Sequence, residues 1–127
     1  MTQIFEGLRV LDFTEGMLGA VATMVLSDYG AEVIKVEPPG GEFLRRRDGH
    51  SGAGVPFAML NANKRSLSLN LKTEKGKAIF LDLARKADVV AENFAPGIMD
   101  RLEIGYETLK TINRGLIYAS GSGYGQS

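Results

Sequence analysis

The chain contains no cysteine, and that omission removes disulfides, thiolate metal sites and a cysteine nucleophile together. It is compatible with a reducing compartment. Histidine is nearly as scarce. His50 is the only one; it lies in Arg47-Asp48-Gly49-His50-Ser51-Gly52 with no acidic partner at ligand spacing, and reads as a loop residue. Net charge is missing too: 15 basic residues balance 15 acidic ones. No overall positive field therefore gathers nucleic acid or an anionic membrane, and any anion site must be a local arrangement. Long apolar runs are absent, since Glu6, Arg9 and Asp12 interrupt the first one. Nothing there resembles a signal peptide, and no window approaches a membrane span. Metal-ligand clusters, a G-x-S-x-G elbow and a Walker motif are also missing. The expectation is a soluble, cytoplasmic protein that binds neither nucleic acid nor membrane.

What is present suits one globular domain over residues 1–127. At 127 residues and 44% hydrophobic content, such a chain buries roughly two-thirds of the surface its unfolded form exposes. Residues 9–13 read as a short apolar strand, followed by Thr14-Glu15-Gly16-Met17-Leu18-Gly19, a helix from Ala20 to about Tyr29, and Gly30 as its stop. A second strand over residues 32–37 ends at Pro38-Pro39-Gly40-Gly41, which gives strand, helix and strand within the length of a βαβ unit and predicts a parallel sheet. Residues 40–56 are rich in glycine and charge and read as an exposed loop. Leu67, Leu69 and Leu71 alternate as one face of a further strand. A helix follows from Thr73 to Ala87, with Ile79, Phe80, Leu83, Ala84 and Ala87 on its packing stripe. Residues 89–91 form a buried strand, 96–102 and 106–112 short helices, and 116–119 a last strand. The glycine-rich residues 120–127 look like a loop leading onward.

Three features fall just past strand ends, where a doubly wound sheet holds its ligands. The first is Thr14 to Gly19, a dinucleotide fingerprint with Thr14 in the first glycine's place and Glu37 near the position of a ribose-binding acid. Two glycines easing a strand into a helix explain it equally. The second runs from Glu92 to Leu102: Asn93 offers donor and acceptor, Phe94 a flat apolar face, and Arg101 a guanidinium one turn beyond Gly97. A capped helix with a surface arginine is the plain alternative. The third is Lys64, Arg65 and Lys72, cations at the two ends of one strand. A cation about 4 Å from a phosphate is worth about 4 kcal/mol at an effective dielectric of about 20, against about 0.3–1 kcal/mol for a helix terminus, so these side chains should dominate any phosphate affinity. Solvated strand ends are the plain reading here.

Taken in order, residues 8–14 (LRVLDFT), 28–37 (DYGAEVIKVE), 63–66 (NKRS), 87–94 (ADVVAENF) and 122–126 (SGYGQ) resemble the amino-terminal part of the family III coenzyme A transferases, which share a fold with the alpha-methylacyl-CoA racemases. The resemblance implies an α/β fold, a Rossmann-like parallel sheet with helices on both faces belonging to a large domain, with a smaller second domain absent here. It further implies coenzyme A thioesters and a small carboxylic acid as substrates, no separate cofactor, and a homodimer of interlocked chains. Carried over by position, the CoA contacts would be Leu69, Lys72, Asn93, Phe94, Ile98, Arg101 and Leu102, with Lys72 and Arg101 serving phosphates and Phe94 and the leucines packing the adenosine. Met17 and Pro38 depart from the pattern of the transferases related to formyl-CoA transferase, so no oxalate role is carried over to those positions, and Gly19-Ala20 stands where the first loop usually has Gly-Pro. The catalytic aspartate of the family, and the racemases' bases, would fall beyond Ser127; Asp12, Asp28 and Asp88 are not that residue. The chain alone is therefore expected to carry a nucleotide cradle without transferase activity. A racemase-like isomerase and an NAD(P)-binding module are the alternative functions, and a remnant that folds or pairs without turnover is a third.

Overall fold

The computed structural model describes residues 2–46 and 54–126, so His50 lies outside the described residues. β1 (Arg9–Asp12) leads through a loop to α1 (Leu18–Asp28) and β2 (Glu32–Glu37). A short 3-10 turn (Phe43–Arg45) and α2 (Val55–Leu60) precede β3 (Arg65–Ser68). Then come α3 (Glu74–Ala84), β4 (Val89–Glu92), α4 (Ile98–Arg101), α5 (Tyr106–Ile112) and β5 (Ile117–Ser120). The strands form one sheet in the order β3-β2-β1-β4-β5, and every neighbouring pair is parallel. Strand order reverses between β1 and β4, the place where such sheets open a crevice.

The pleat separates two cores. Val10, Val33 and Val89 stand in register and pack with Ala31 and Leu26 on the α1 side. Their neighbours Leu11, Ile34 and Val90 point the other way, into the larger core with Phe80 and Ala84 of α3, Met99 of α4 and Leu109 of α5. Apolar residues at successive strand positions thus face opposite layers, as a parallel sheet covered on both faces requires. Phe13 meets Phe80 edge to face at 4.9 Å, a geometry that aligns ring edge with ring face.

Several boundaries differ from the sequence expectation. β3 stops at Ser68, and only the first leucine of the alternating set lies within it. Leu69 and Leu71 lie past the strand, though both pack on the same core. α3 ends at Ala84 rather than Ala87, and Ile79 is 39% exposed while Gly76 is buried. α4 is a single turn entered through Gly97 in the left-handed region (φ 80°), so Pro96 precedes the helix instead of starting it. The segment read as an open loop carries the 3-10 turn and the beginning of α2, and it buries Glu42 and Leu44. Its glycine and charge content concealed that packing, because both charged and apolar side chains there turn inward.

Candidate functional site

A network of buried charges fixes the loop after β1. Asp12, fully buried, accepts hydrogen bonds from the Thr14 N–H (2.9 Å) and hydroxyl (2.6 Å), the Thr23 hydroxyl (2.7 Å) and the Lys64 ammonium (2.9 Å). Lys64 also donates to the Ala20 carbonyl, the Thr23 hydroxyl and the Asn61 side chain. Burial pushes the Lys64 pKa down, and Asp12 partly restores it. Lys64 is thus spent inside the molecule. Arg65 pairs with Glu32 at 2.7 Å, at the opposite end of β3 from Lys72. The expected use of Lys64 beside Lys72 as a ligand-facing cation is corrected, because a buried ammonium already neutralised by a buried carboxylate has no charge to offer; Arg65 stays exposed but stands at the other end of the strand from Lys72.

Glu37 is likewise occupied. Arg45 reaches both of its carboxylate oxygens (2.6 and 2.7 Å), and the Glu42 N–H and Ser66 hydroxyl add two more hydrogen bonds. Burial alone would raise its pKa, but these donors outweigh it and hold the carboxyl at about 2. The ribose-binding role suggested for Glu37 is therefore corrected, since its acceptors are used by the protein. Glu42 in turn pairs with buried Lys35 at 2.7 Å and accepts the Gly16 N–H at 2.8 Å. Gly19 serves close packing: a Cβ there would stand 2.3 Å from Thr14 Cγ2.

Beyond the carboxyl ends of the strands opens a cleft of about 380 Å³, within the roughly 300–1,000 Å³ range of small-molecule sites. Residues 69–72 form one part of its wall, Phe94, Ile98 and Leu102 another, and Phe13, Glu15 and residues 36–39 the rest. Five of the seven sequence-selected residues are brought together there. The other two are not. Asn93 spends both ends of its amide on the loop after β1, accepting the Glu15 N–H and donating to the Glu15 carbonyl, each at 2.8 Å, and it borders a separate hollow of about 530 Å³ beside α1 and β5. Arg101 is exposed and absent from the cleft wall. Its Nη1 lies 3.7 Å from where a Cβ on Gly97 would stand, folded back over its own turn. The sequence reading passed over Glu15, because its placement depends on Asn93, far along the chain. Burial, and secondarily the charge of Glu42, raises the Glu15 pKa.

Among the described residues no cluster of three or more His, Asp or Glu side chains could hold a metal ion. No helix is long and apolar enough to cross a membrane.

The sequence profile of CoA-transferase family III matches residues 5–127. An acetyl-CoA:oxalate CoA-transferase of Acetobacter aceti is 50% identical over 125 residues, covering 97% of this chain and 32% of that protein. A succinyl-CoA:mesaconate CoA-transferase of Haloarcula marismortui is 47% identical over 126 residues, with 94% and 32% covered. Among solved structures, the hypothetical protein Rv3272 of Mycobacterium tuberculosis superimposes with a TM-score of 0.91 at 45% identity, over 97% of this chain and 34% of that one. The chain spans about a third of the length of the curated relatives it matches. With the profile match covering nearly all its residues, the chain belongs to CoA-transferase family III.

Proposed function

We propose that this chain is the coenzyme A-binding portion of an enzyme that moves CoA between an acyl-CoA and a small carboxylic acid. The observation that carries the reading is the cleft: an apolar slot walled by Leu69, Phe94, Ile98 and Leu102, with the ammonium-bearing Lys72 at its wall. A nucleotide needs flat apolar surface for its base and a cation for its phosphate, and these residues supply both. Arg101 joins the site when its guanidinium swings off Gly97 toward the phosphates. Asn93 acts indirectly, holding Glu15 and the loop in place. The relatives' names support acyl-CoA and carboxylate as the two substrates.

In the complete enzyme the exchange is double displacement through a protein carboxylate, which the resemblance places past Ser127. The chain itself supplies the cradle and not that covalent step. Homodimerisation, which rests on the resemblance, and a cytoplasmic setting, which suits a cysteine-free chain, belong to the same proposal. Calorimetric titration tests the reading: CoA binds, NAD does not displace it, and Lys72→Ala weakens CoA about tenfold or more. NAD binding untouched by CoA, or acyl-CoA exchange catalysed by the chain alone, would overturn it.

A further inference from the structure

Four polar side chains line the cleft: Glu15, Glu37, Asn70 and Lys72. Two are engaged within the protein. Glu37 gives its oxygens to Arg45, Ser66 and the Glu42 N–H, and the Asn70 Oδ1 accepts the Lys72 backbone N–H. Among the described residues, neither the Glu15 carboxylate nor the Lys72 ammonium has such a partner. One uncommitted acceptor and one uncommitted cation therefore share a slot whose other walls are Phe13, Phe94, prolines and aliphatic side chains.

Glu15 is also held in place before any ligand arrives. Asn93 fixes both its N–H and its carbonyl at 2.8 Å, and Glu42 fixes the N–H of the next residue, Gly16, at 2.8 Å. A half-buried carboxylate on an anchored backbone is a preorganised acceptor for an N–H donor. Burial already raises its pKa, with Glu42 and Glu37 adding to that and Lys35 opposing it, so a ligand donor would relieve an unfavourable charge. Coenzyme A offers such donors in two places, the exocyclic amine of adenine and the amides of its pantetheine arm. The flat faces of Phe94, Pro38 and Pro39 suit a planar ring better than a flexible arm. Resting on the CoA reading above, we propose that Glu15 is a specificity-determining residue that accepts a hydrogen bond from the exocyclic amine of the base seated against Phe94 while Lys72 meets the phosphate.

A site built to pair with a ligand N–H rejects an analogue that lacks it, because the buried acceptor is then left unpaired. Titrating the wild-type chain with adenosine 3′,5′-bisphosphate and with its inosine counterpart, which replaces the amine by a carbonyl, should give at least tenfold tighter binding of the adenine form. Glu15→Ala should bring the two within about twofold while keeping its circular dichroism spectrum, and Glu15→Gln, which retains an acceptor oxygen, should keep part of the preference. Equal wild-type affinities, or an undiminished preference in Glu15→Ala, would overturn the proposal. So would a Glu15→Ala variant weakened for CoA but not for adenosine 3′,5′-bisphosphate, which would place the donor in the pantetheine arm. Failure of the wild type to bind CoA at all sinks the underlying reading. CoA binding that Lys72→Ala weakens, combined with equal wild-type affinities for the adenine and inosine forms, would leave the CoA reading standing and overturn the Glu15 role alone.

Discussion

At the scale of single residues, burial decides what each charge does. Lys64 and Arg65 are adjacent, yet the Lys64 side chain is 1% exposed against a carboxylate at 0%, while the Arg65 side chain is 74% exposed. Removing one partner of a buried pair strands the other charge and costs about 3–5 kcal/mol, whereas an exposed pair contributes about 0–1 kcal/mol. Lys64→Met should therefore lower unfolding stability by about 3 kcal/mol or more in urea, and Arg65→Met by less than about 1 kcal/mol; equal losses would contradict the burial argument. Glu37 yields a pH prediction. Its carboxyl is held at about 2 against an ordinary 4.5, so its contribution is present above pH 4.5 and fades as pH falls toward 2. That shift corresponds to about 3 kcal/mol. The stability difference between wild type and Glu37→Gln, followed by denaturant unfolding, should be largest near neutrality and shrink steadily through that window. The sequence displayed Glu37 at a strand end, but its donors Arg45 and Ser66 lie 8 and 29 residues away, and no local pattern reports such partners.

At the scale of elements, close approach overrides intrinsic propensity. Gly76 sits in α3, where alanine is normally favoured by about 1 kcal/mol. A Cβ there would meet the Asn70 carbonyl oxygen at 2.1 Å, and that atom is backbone. Gly76→Ala should consequently lower the melting temperature, with a net loss of about 1–3 kcal/mol, and a stabilised variant would show that the β3–α3 connection yields easily. The same helix is capped by Thr73, whose hydroxyl accepts the Gly76 N–H at 3.1 Å; Thr73→Ala should cost about 1 kcal/mol in the same assay. Strand and helix types were legible because period-2 and period-3.6 patterns are carried by neighbours in sequence: β2 occupies the expected residues 32–37 and α5 the expected 106–112. α2 was not legible, since Val55 to Leu60 spans fewer than two helical turns and follows a glycine- and charge-rich stretch.

For the whole molecule, the sheet has two edges, β3 and β5. β3 bears Arg65 and polar Ser66 and Ser68, which discourage further pairing, whereas β5 leaves Ile117 61% exposed beside an open row of backbone groups. An apolar open edge invites a further strand. The chain should therefore self-associate as its concentration rises, detectably by light scattering, and Ile117→Lys should shift it toward monomer; a clean monomer at high concentration would contradict this. The candidate cleft also belongs to this scale. It draws residues from the ends of β1 and β2 and from the segments after β3 and β4, so its coherence comes from the parallel order of the strands.

By itself the sequence determined most of the element types, the parallel α/β arrangement and family membership, because periodicity, turn residues and ordered motifs are local properties that survive without coordinates. Only the tertiary structure decided which polar side chains the protein itself consumes. Among the described residues the side chains of Lys72 and Glu15 have no protein partner at the cleft, while Lys64, Glu37 and Asn93 are consumed by partners distant in the chain. The reason is desolvation: a charged side chain taken out of water must find its partner in three dimensions, and the chain must fold before that partner is fixed.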